Sequence, residues 1–503
     1  MTSATDRRRL PASADLLVVG GGITGAGIAL EAARAGASVV LVEQGDFASG
    51  TSSRSSKLVH GGLRYLAEGN LRLTREAVRE RDRLLDEAPG LVDPVGFLFT
   101  LRDGEKPGPA LVGTGLALYD LLAREGRHAR LTSDELLLRA PHVGGPGLSG
   151  AFAYADAATD DARLVLRVLR EAVDEGAVAR NYVRCEGLLR RGGRVAGALL
   201  RDVRTGEEHA LGAAAVVNAT GAWADRLRAE VGGRPRIRPL RGSHLLFPQW
   251  RFPTAQAVTF RHPLDARPLF AYPWEGLTLL GTTDLDHSGS LDEEPSISVP
   301  EVDYLLEGAR SAFPSLAISA RDAVSSFAGV RPVVGTGKAR PSEESREHVL
   351  WDEEGLVTVT GGKLTAVRLI AVGALRVLGE RIPALAPGRG DAGDALRRRL
   401  HRALRRARGG RVLAVRSPRG HRRERRLPGR GLPLRDARRR RRPDAQSARH
   451  RRRRPRLPRR ARRDRLARTA RLRRRLPGAG RRRALRPRRR ARRHHLSDLG
   501  LRR

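Results

Sequence analysis

A run of glycines between a strand and a helix constrains this chain more than any other feature. DLLVVG (residues 15–20) is an apolar run of strand length, and GGGITG (20–25) follows it. AGIALEAARAG (26–36) reads as a helix and SVVLVE (38–43) as a second strand. This is a βαβ unit compressed into about 30 residues. In Gly20-x-Gly22-x-x-Gly25 each glycine has its own task. The first permits the tight turn, and the second lets backbone approach a pyrophosphate at the helix N-terminus. The third permits close helix–strand packing. Glu43 lies 18 residues beyond Gly25, at the end of the second strand, where a carboxylate takes the ribose hydroxyls of an adenosine. The pattern predicts a bound adenine dinucleotide, with NAD and FAD both open at this point.

The rest of the first 390 residues continues an α/β pattern. Residues 49–66, SGTSSRSSKLVHGGLRYL, are polar, Gly/Ser-rich and basic, and read as a functional loop entering a helix. NLRLTREAVRERDRLLDEAP (70–89) and DARLVLRVLREAVDEG (161–176) have helical spacing. ARNYVRCEGLLRRGGRVAGALLRD (179–202) reads as strands around a turn, and AAVVNATGAW (214–223) as a strand running into a glycine turn. Residues 235–330 alternate short strands with Gly/Pro turns, as an antiparallel sheet does. LVTVTGGK (356–363) is a strand entering a Gly-rich turn, and LTAVRLIAVGALRVLG (364–379) a helix. No internal repeat interrupts this order.

Charge is distributed very unevenly. Residues 401–503 hold 45 arginines, no lysine and five acidic residues, which accounts for +40 of the chain's formal +41. The first 400 residues are close to neutral, so net charge does not make them a nucleic-acid binder. Beyond about residue 390 there is no Phe, Tyr, Trp, Ile, Met or Cys, and such a segment cannot build an ordinary core. Two readings of it stand. One is a disordered basic arm for nucleic acid or anionic lipid. The other is a GC-rich gene read in the wrong frame, favoured because 92 arginines accompany only four lysines in the whole chain and none of those lysines lies in the tail. The one cysteine, Cys185, rules out an internal disulfide and fits a cytoplasmic protein. The N-terminal stretch lacks the apolar region of a secretory leader. No apolar stretch approaches the ~20 residues of a spanning helix, so membrane contact is expected to be peripheral.

TSSRSSKLVHGGLRYL (51–66) closely resembles the flavin-contacting segment of the aerobic, FAD-dependent glycerol-3-phosphate dehydrogenases. Further segments match that family in the same order: DDARLV (160–165), NATGAWAD (218–225), RGSHLLFP (241–248), GTTD (281–284), GVRP (329–332) and GGKLT (361–365). The resemblance covers roughly residues 14–380. It implies a Rossmann-like FAD-binding domain of glutathione-reductase type with an antiparallel-sheet substrate domain. The first would take 1–90, 145–235 and 325–390, and the second, a cap, 91–144 and 236–324. Residues 391–503 stand where the family has a helical C-terminal domain. It implies oxidation of sn-glycerol 3-phosphate to dihydroxyacetone phosphate, with hydride passing from C2 to flavin N5 and electrons to membrane quinone. It places the protein on the inner face of the cytoplasmic membrane, with a homodimer possible and no specific nucleic acid expected.

The resemblance also distributes roles. Gly20, Gly22, Gly25, Glu43, Ser53, Ser56, Lys57, His60, Val183, Thr220, Gly221, Gly362, Lys363 and Leu364 are implied FAD contacts. A phosphorylated secondary alcohol needs cations for its phosphate and an acceptor for its hydroxyl proton. Arg64 and Arg331, with Lys363 nearby, are the expected phosphate ligands, since guanidinium forks suit phosphate oxygens. His244 is the candidate base or substrate hydrogen-bonder, Tyr65 is a candidate substrate contact, Thr282 and Thr283 are candidate contacts to substrate or flavin, and Asp284 is read as structural. No metal is expected, because no His/Cys/Asp cluster has ligand spacing. The rivals are a flavin oxidase of the glycerophosphate, amine or 2-hydroxyacid type, and a binding protein working through the arginine-rich tail.

Overall fold

The computed structural model describes residues 10–62, 70–123, 128–338, 344 and 347–386. All of these lie in the first of two units, Met1–Leu413; the second, Ala414–Arg503, is outside the described residues, as is the whole tail from 391.

In chain order, β1 (Ser13–Val19) runs through the glycine turn into the Ile23–Arg34 helix and back to β2 (Val39–Glu43). β3 (Leu58–Val59) is short. The Leu71–Glu87 helix, β4 (Val92–Arg102), the Pro109–Leu122 helix, β5 (Ala129–Leu131) and β6 (Leu148–Thr159) follow. The Asp161–Asp174 helix leads to β7 (Val178–Asn181), β8 (Val183–Arg191), β9 (Arg194–Asp202) and β10 (Glu208–Asn218). After the Ala224–Ala229 helix come β11 (Ile237–Pro248), β12 (Ala257–Arg261), β13 (Pro268–Trp274), β14 (Leu277–Gly281) and β15 (Leu285–Asp286). The Val299–Ala312 helix precedes β16 (Ser325–Val334), β17 (His348–Glu353), β18 (Leu356–Gly361) and the Val367–Leu378 helix.

Two sheets result. The first has the order β17-β18-β10-β1-β2-β7, with β9 on β10 and β8 on β9. Its pairs β18/β10, β10/β1, β1/β2 and β2/β7 are parallel. Parallel strands covered on both faces must be apolar throughout, and β1 shows why the LLVV run is unbroken. Leu16 and Val18 face the core formed with the Ile23–Arg34, Asp161–Asp174 and Val367–Leu378 helices. Leu17 and Val19 face the opposite core with Val40, Val42 and Val216. The glycine turn has no room for side chains. Gly20 has φ +116°, and a Cβ on Gly25 would lie 2.0 Å from the Gly20 carbonyl oxygen.

The second sheet has the order β15-β11-β14-β13-β12-β4-β6-β3, with β16 on β11 and β5 on β6. It is antiparallel except where β12 meets β4. β3, β6 and β16 belong to it, although they lie in stretches assigned from sequence to the cofactor portion. Pairings such as Val59↔Ala157 and His244↔Phe327 draw them across. The Val299–Ala312 helix covers one face through Leu305, Leu306 and Ala309. The strand-rich reading of 235–330 omitted this helix. Its start is nonetheless written in the sequence, as a capping box of Ser298 and Glu301 with proline in the first turn.

A buried polar node ties this sheet to the helices beside it. The Asp156 carboxylate accepts from Arg81 (2.9 Å), the Tyr119 hydroxyl (2.8 Å) and the Gly61 amide (3.0 Å).

The tight glycine turn makes a direct prediction. Gly25→Ala must push the helix off the strand, and overpacking of this kind costs about 1–3 kcal/mol. Denaturant unfolding should show a lower midpoint with an unchanged slope. An unaltered midpoint would mean that the turn has room to give.

Candidate active site

The C-terminal ends of β1, β2, β10 and β18 open onto one cleft, which is where open parallel sheets bind ligands. Gly20, Gly22 and Thr24 form its floor at the helix N-terminus. Glu43, Val183, Thr220, Gly221 and the turn Gly362–Lys363–Leu364 complete the walls. A Cβ on Gly22 would point at Ser52 Oγ, 3.1 Å away, so this part of the cradle stays open only because no side chain fills it. The Glu43 carboxylate accepts from the Gly21 amide (2.8 Å) and the Gly45 amide (2.9 Å), which fixes it at the rim. Ser52 Oγ accepts from the Ile23 amide at 3.0 Å. Bare helix-terminal backbone, a carboxylate at the end of the second strand and small residues between them fit an adenine dinucleotide, FAD included.

Residues 51–57 then turn away from this cleft towards the second sheet. Asp161, fully buried at the start of its helix, organises the turn. Its carboxylate accepts from the Ser55 amide (3.0 Å), Ser55 Oγ (2.6 Å) and Lys57 Nζ (2.5 Å). Lys57 also donates to the Ser53 carbonyl (2.7 Å) and lies over the Trp274 and Phe327 rings. Thr51, Ser52 and Ser55 consequently face the cleft, whereas Ser53, Ser56, Lys57 and His60 are not on its wall.

Ser56 instead meets the second sheet. Its Oγ is 2.9 Å from His244 Nε2, and its carbonyl accepts from the Tyr272 hydroxyl. His244 is almost fully buried and stacked on Phe327, with ring centroids 4.6 Å apart. Burial, with the Arg331 and Lys57 charges adding to it, pushes its pKa down to about 3, so its imidazole is neutral at working pH. Its Nδ1 is buried without a hydrogen-bond partner. Arg331, one strand away on β16, donates to Asp284 (2.9 Å) and Thr282 Oγ1 (3.1 Å). It lies across Gly242, where a Cβ would come within 2.1 Å of the guanidinium.

The structure therefore groups the expected residues in two sets. Gly20, Gly22, Glu43, Val183, Thr220, Gly221, Gly362, Lys363 and Leu364 line the cleft, while Gly25 packs behind it. His244, Ser56, Lys57, Thr282 and Arg331 gather around the second sheet. Arg64 and Tyr65 lie outside the described residues. Asp161, Tyr272 and Phe327 were not nominated from sequence. Asp161 stands inside the quoted DDARLV segment, but no local signal marked it as the anchor of a loop a hundred residues earlier.

Two predictions follow from the burial of these groups. Asp161→Ala strands the Lys57 ammonium, and breaking a buried pair costs about 3–5 kcal/mol; equilibrium unfolding at pH 7 should show that loss. For His244, the unfolded chain takes a proton near the ordinary 6.5, while the folded protein stays neutral until about 3. Stability should therefore fall as pH drops through that window, by up to about 1.4 kcal/mol per unit. His244→Gln should flatten the part of the curve between pH 6 and 5, and a curve parallel to the parent's would remove His244 as the cause.

Residues 15–375 match the family model described as FAD dependent oxidoreductase. The chain is 41% identical over 374 residues to the aerobic glycerol-3-phosphate dehydrogenase of Bacillus subtilis (strain 168), covering 73% of this chain and 67% of that protein. It is 38% identical over 375 residues to the enzyme of the same name from Staphylococcus aureus (strain USA300), with the same coverage. Among solved structures, the glycerol-3-phosphate dehydrogenase from Bacillus halodurans complexed with FAD aligns with TM-score 0.61 and 33% identity, over 79% of this chain and 72% of that one. Glycine oxidase from Geobacillus kaustophilus shares the fold, with TM-score 0.54 and 24% identity over 73% of this chain and 94% of that one. A cleft built for an adenine dinucleotide and these likenesses agree: the chain belongs to the FAD dependent oxidoreductase family, beside the aerobic glycerol-3-phosphate dehydrogenases.

Proposed function

We propose that the protein oxidises sn-glycerol 3-phosphate to dihydroxyacetone phosphate and passes the electrons to a membrane quinone. The observation that carries the reading is the 41% identity over 374 residues to a protein named aerobic glycerol-3-phosphate dehydrogenase. The chemistry of the second set of residues supports it. When bound, FAD supplies the two-electron acceptor that takes hydride from C2. Arg331 is oriented before substrate arrives by Asp284 and Thr282, so its guanidinium can meet a phosphate dianion at little ordering cost. Thr282 and Lys363 are the further polar groups proposed for substrate, with Arg64 and Tyr65. His244, being neutral, can accept a hydrogen bond from the C2 hydroxyl and take its proton as hydride leaves.

Quinone as acceptor and a peripheral position on the inner face of the cytoplasmic membrane belong to the same proposal. Among the described residues no helix is long and apolar enough to cross a membrane.

Anaerobic glycerol 3-phosphate should bleach the oxidised-flavin absorption of the purified protein, and glycerol should not. A water-soluble quinone should restore the colour faster than dioxygen does. Arg331→Ala should raise KM for the phosphate ester about 100-fold, the scale expected when a charge-assisted hydrogen bond is lost. Turnover of the ester by Arg331→Ala at the parent's KM would remove Arg331 from the phosphate site. Bleaching by glycerol itself would sink the substrate assignment.

A further inference from the structure

Glu301 is almost fully buried behind the site. Its Oε1 accepts from Ser243 Oγ (2.8 Å) and Thr283 Oγ1 (2.7 Å). Its Oε2 accepts from the Ser298 amide (2.9 Å), Ser298 Oγ (2.8 Å) and the Arg241 guanidinium (2.7 Å). One half of the carboxylate thus caps the Val299–Ala312 helix, and the other half grips β11 and the turn between β14 and β15. Thr283 Oγ1 in turn accepts from the Ser243 amide at 2.9 Å, which closes a ring of three residues.

The two gripped residues are neighbours of the proposed reaction machinery. Ser243 precedes His244 on β11, and side chains alternate along a strand. With Ser243 held on Glu301, His244 is presented to the opposite face, where it meets Ser56 and Phe327. Thr283 sits between Thr282 and Asp284, the two side chains that orient Arg331. Its own carbonyl also accepts from Arg331 Nη1 at 3.4 Å. Moving Thr283 therefore moves Thr282 and Asp284, and moving Ser243 moves His244.

We propose that Glu301 is a positioning residue for the oxidation of glycerol 3-phosphate, holding His244 and the Arg331-binding turn at a fixed spacing through Ser243 and Thr283. The proposal rests on the reading of function given above. Burial alone would raise the Glu301 pKa, but hydrogen bonds from Ser298, Thr283 and Ser243 outweigh it and hold the value at about 2. The carboxylate stays charged at any working pH, so the brace is permanent rather than switched.

The test separates the two halves of the carboxylate. Thr283→Val keeps side-chain shape and removes one grip on the site, while Ser298→Ala takes the hydroxyl out of the helix cap and leaves both grips. Each FAD-loaded variant is titrated with dihydroxyacetone phosphate, read by the shift in flavin absorption, and assayed for KM, kcat and melting temperature. Thr283→Val should weaken product binding and raise KM by about tenfold, as expected when a supporting contact for a binding group is lost. Ser298→Ala should lower the melting temperature and leave both constants within about twofold. Glu301→Gln, which turns an amide donor towards the Ser298 amide or towards Ser243 and Thr283, should show both effects. If Thr283→Val binds product as the parent does, Glu301 is only a helix cap and the proposal is overturned while the functional reading stands. If the parent itself is neither bleached by glycerol 3-phosphate nor perturbed by its oxidation product, the functional reading fails and the proposal falls with it.

Discussion

Three donors from residues 55–57 converge on the Asp161 carboxylate, which is fully buried. A buried carboxylate without partners would be too costly to keep, so the loop is obliged to stay where its amide, hydroxyl and ammonium satisfy the charge. That obligation reaches in two directions. Upstream, it fixes the 51–55 stretch against the glycine turn, where Ser52 takes up the Ile23 amide. Downstream, it delivers Ser56 to His244 and Tyr272. The cofactor cleft belongs to the first sheet and the proposed proton acceptor to the second. The 51–57 segment is the piece of chain that brings them into one site.

Charge inside this site is handled by pairing rather than by solvent. Lys57 is spent on Asp161, Arg331 on Asp284, and Arg241 on Glu301. For Arg331 the pair leaves the guanidinium oriented with little freedom, which lowers the ordering cost when an anion arrives. Burial, with the Arg331 and Lys57 charges adding to it, keeps His244 neutral. A lysine with a solvated carboxylate partner would do neither as well, because water would screen it and let it wander.

Much of this was legible from residue order. β1, the glycine turn and the Ile23–Arg34 helix are specified by local pattern, since strand, turn and helix signals occur within one short unit. The Asp161–Asp174 and Val367–Leu378 helices were equally plain from their spacing. The Val299–Ala312 helix was passed over because its surroundings are strands, although its capping box was there to read. The alternation of the 51–57 loop was not legible at all. Whether Ser55 or Ser56 faces the cleft depends on a carboxylate more than a hundred positions later, and local sequence carries no trace of that distance. For the same reason Lys57 reads as a cofactor contact by motif and is found folded back on Asp161.

Glu301 shows the same limit from the other side. Its spacing from Ser298 announces a helix start, and that local meaning is correct. Its second set of contacts exists only because β11 and the 282–284 turn pass beneath that helix start, so that Ser243 and Thr283 meet the unused face of the same carboxylate. A charged group already desolvated for capping gains most from further donors, since each added hydrogen bond offsets a burial cost that the cap alone does not cover. The helix start is thus a natural place from which to brace a strand and a turn, and those it braces here carry His244 and the Thr282 and Asp284 side chains that hold Arg331.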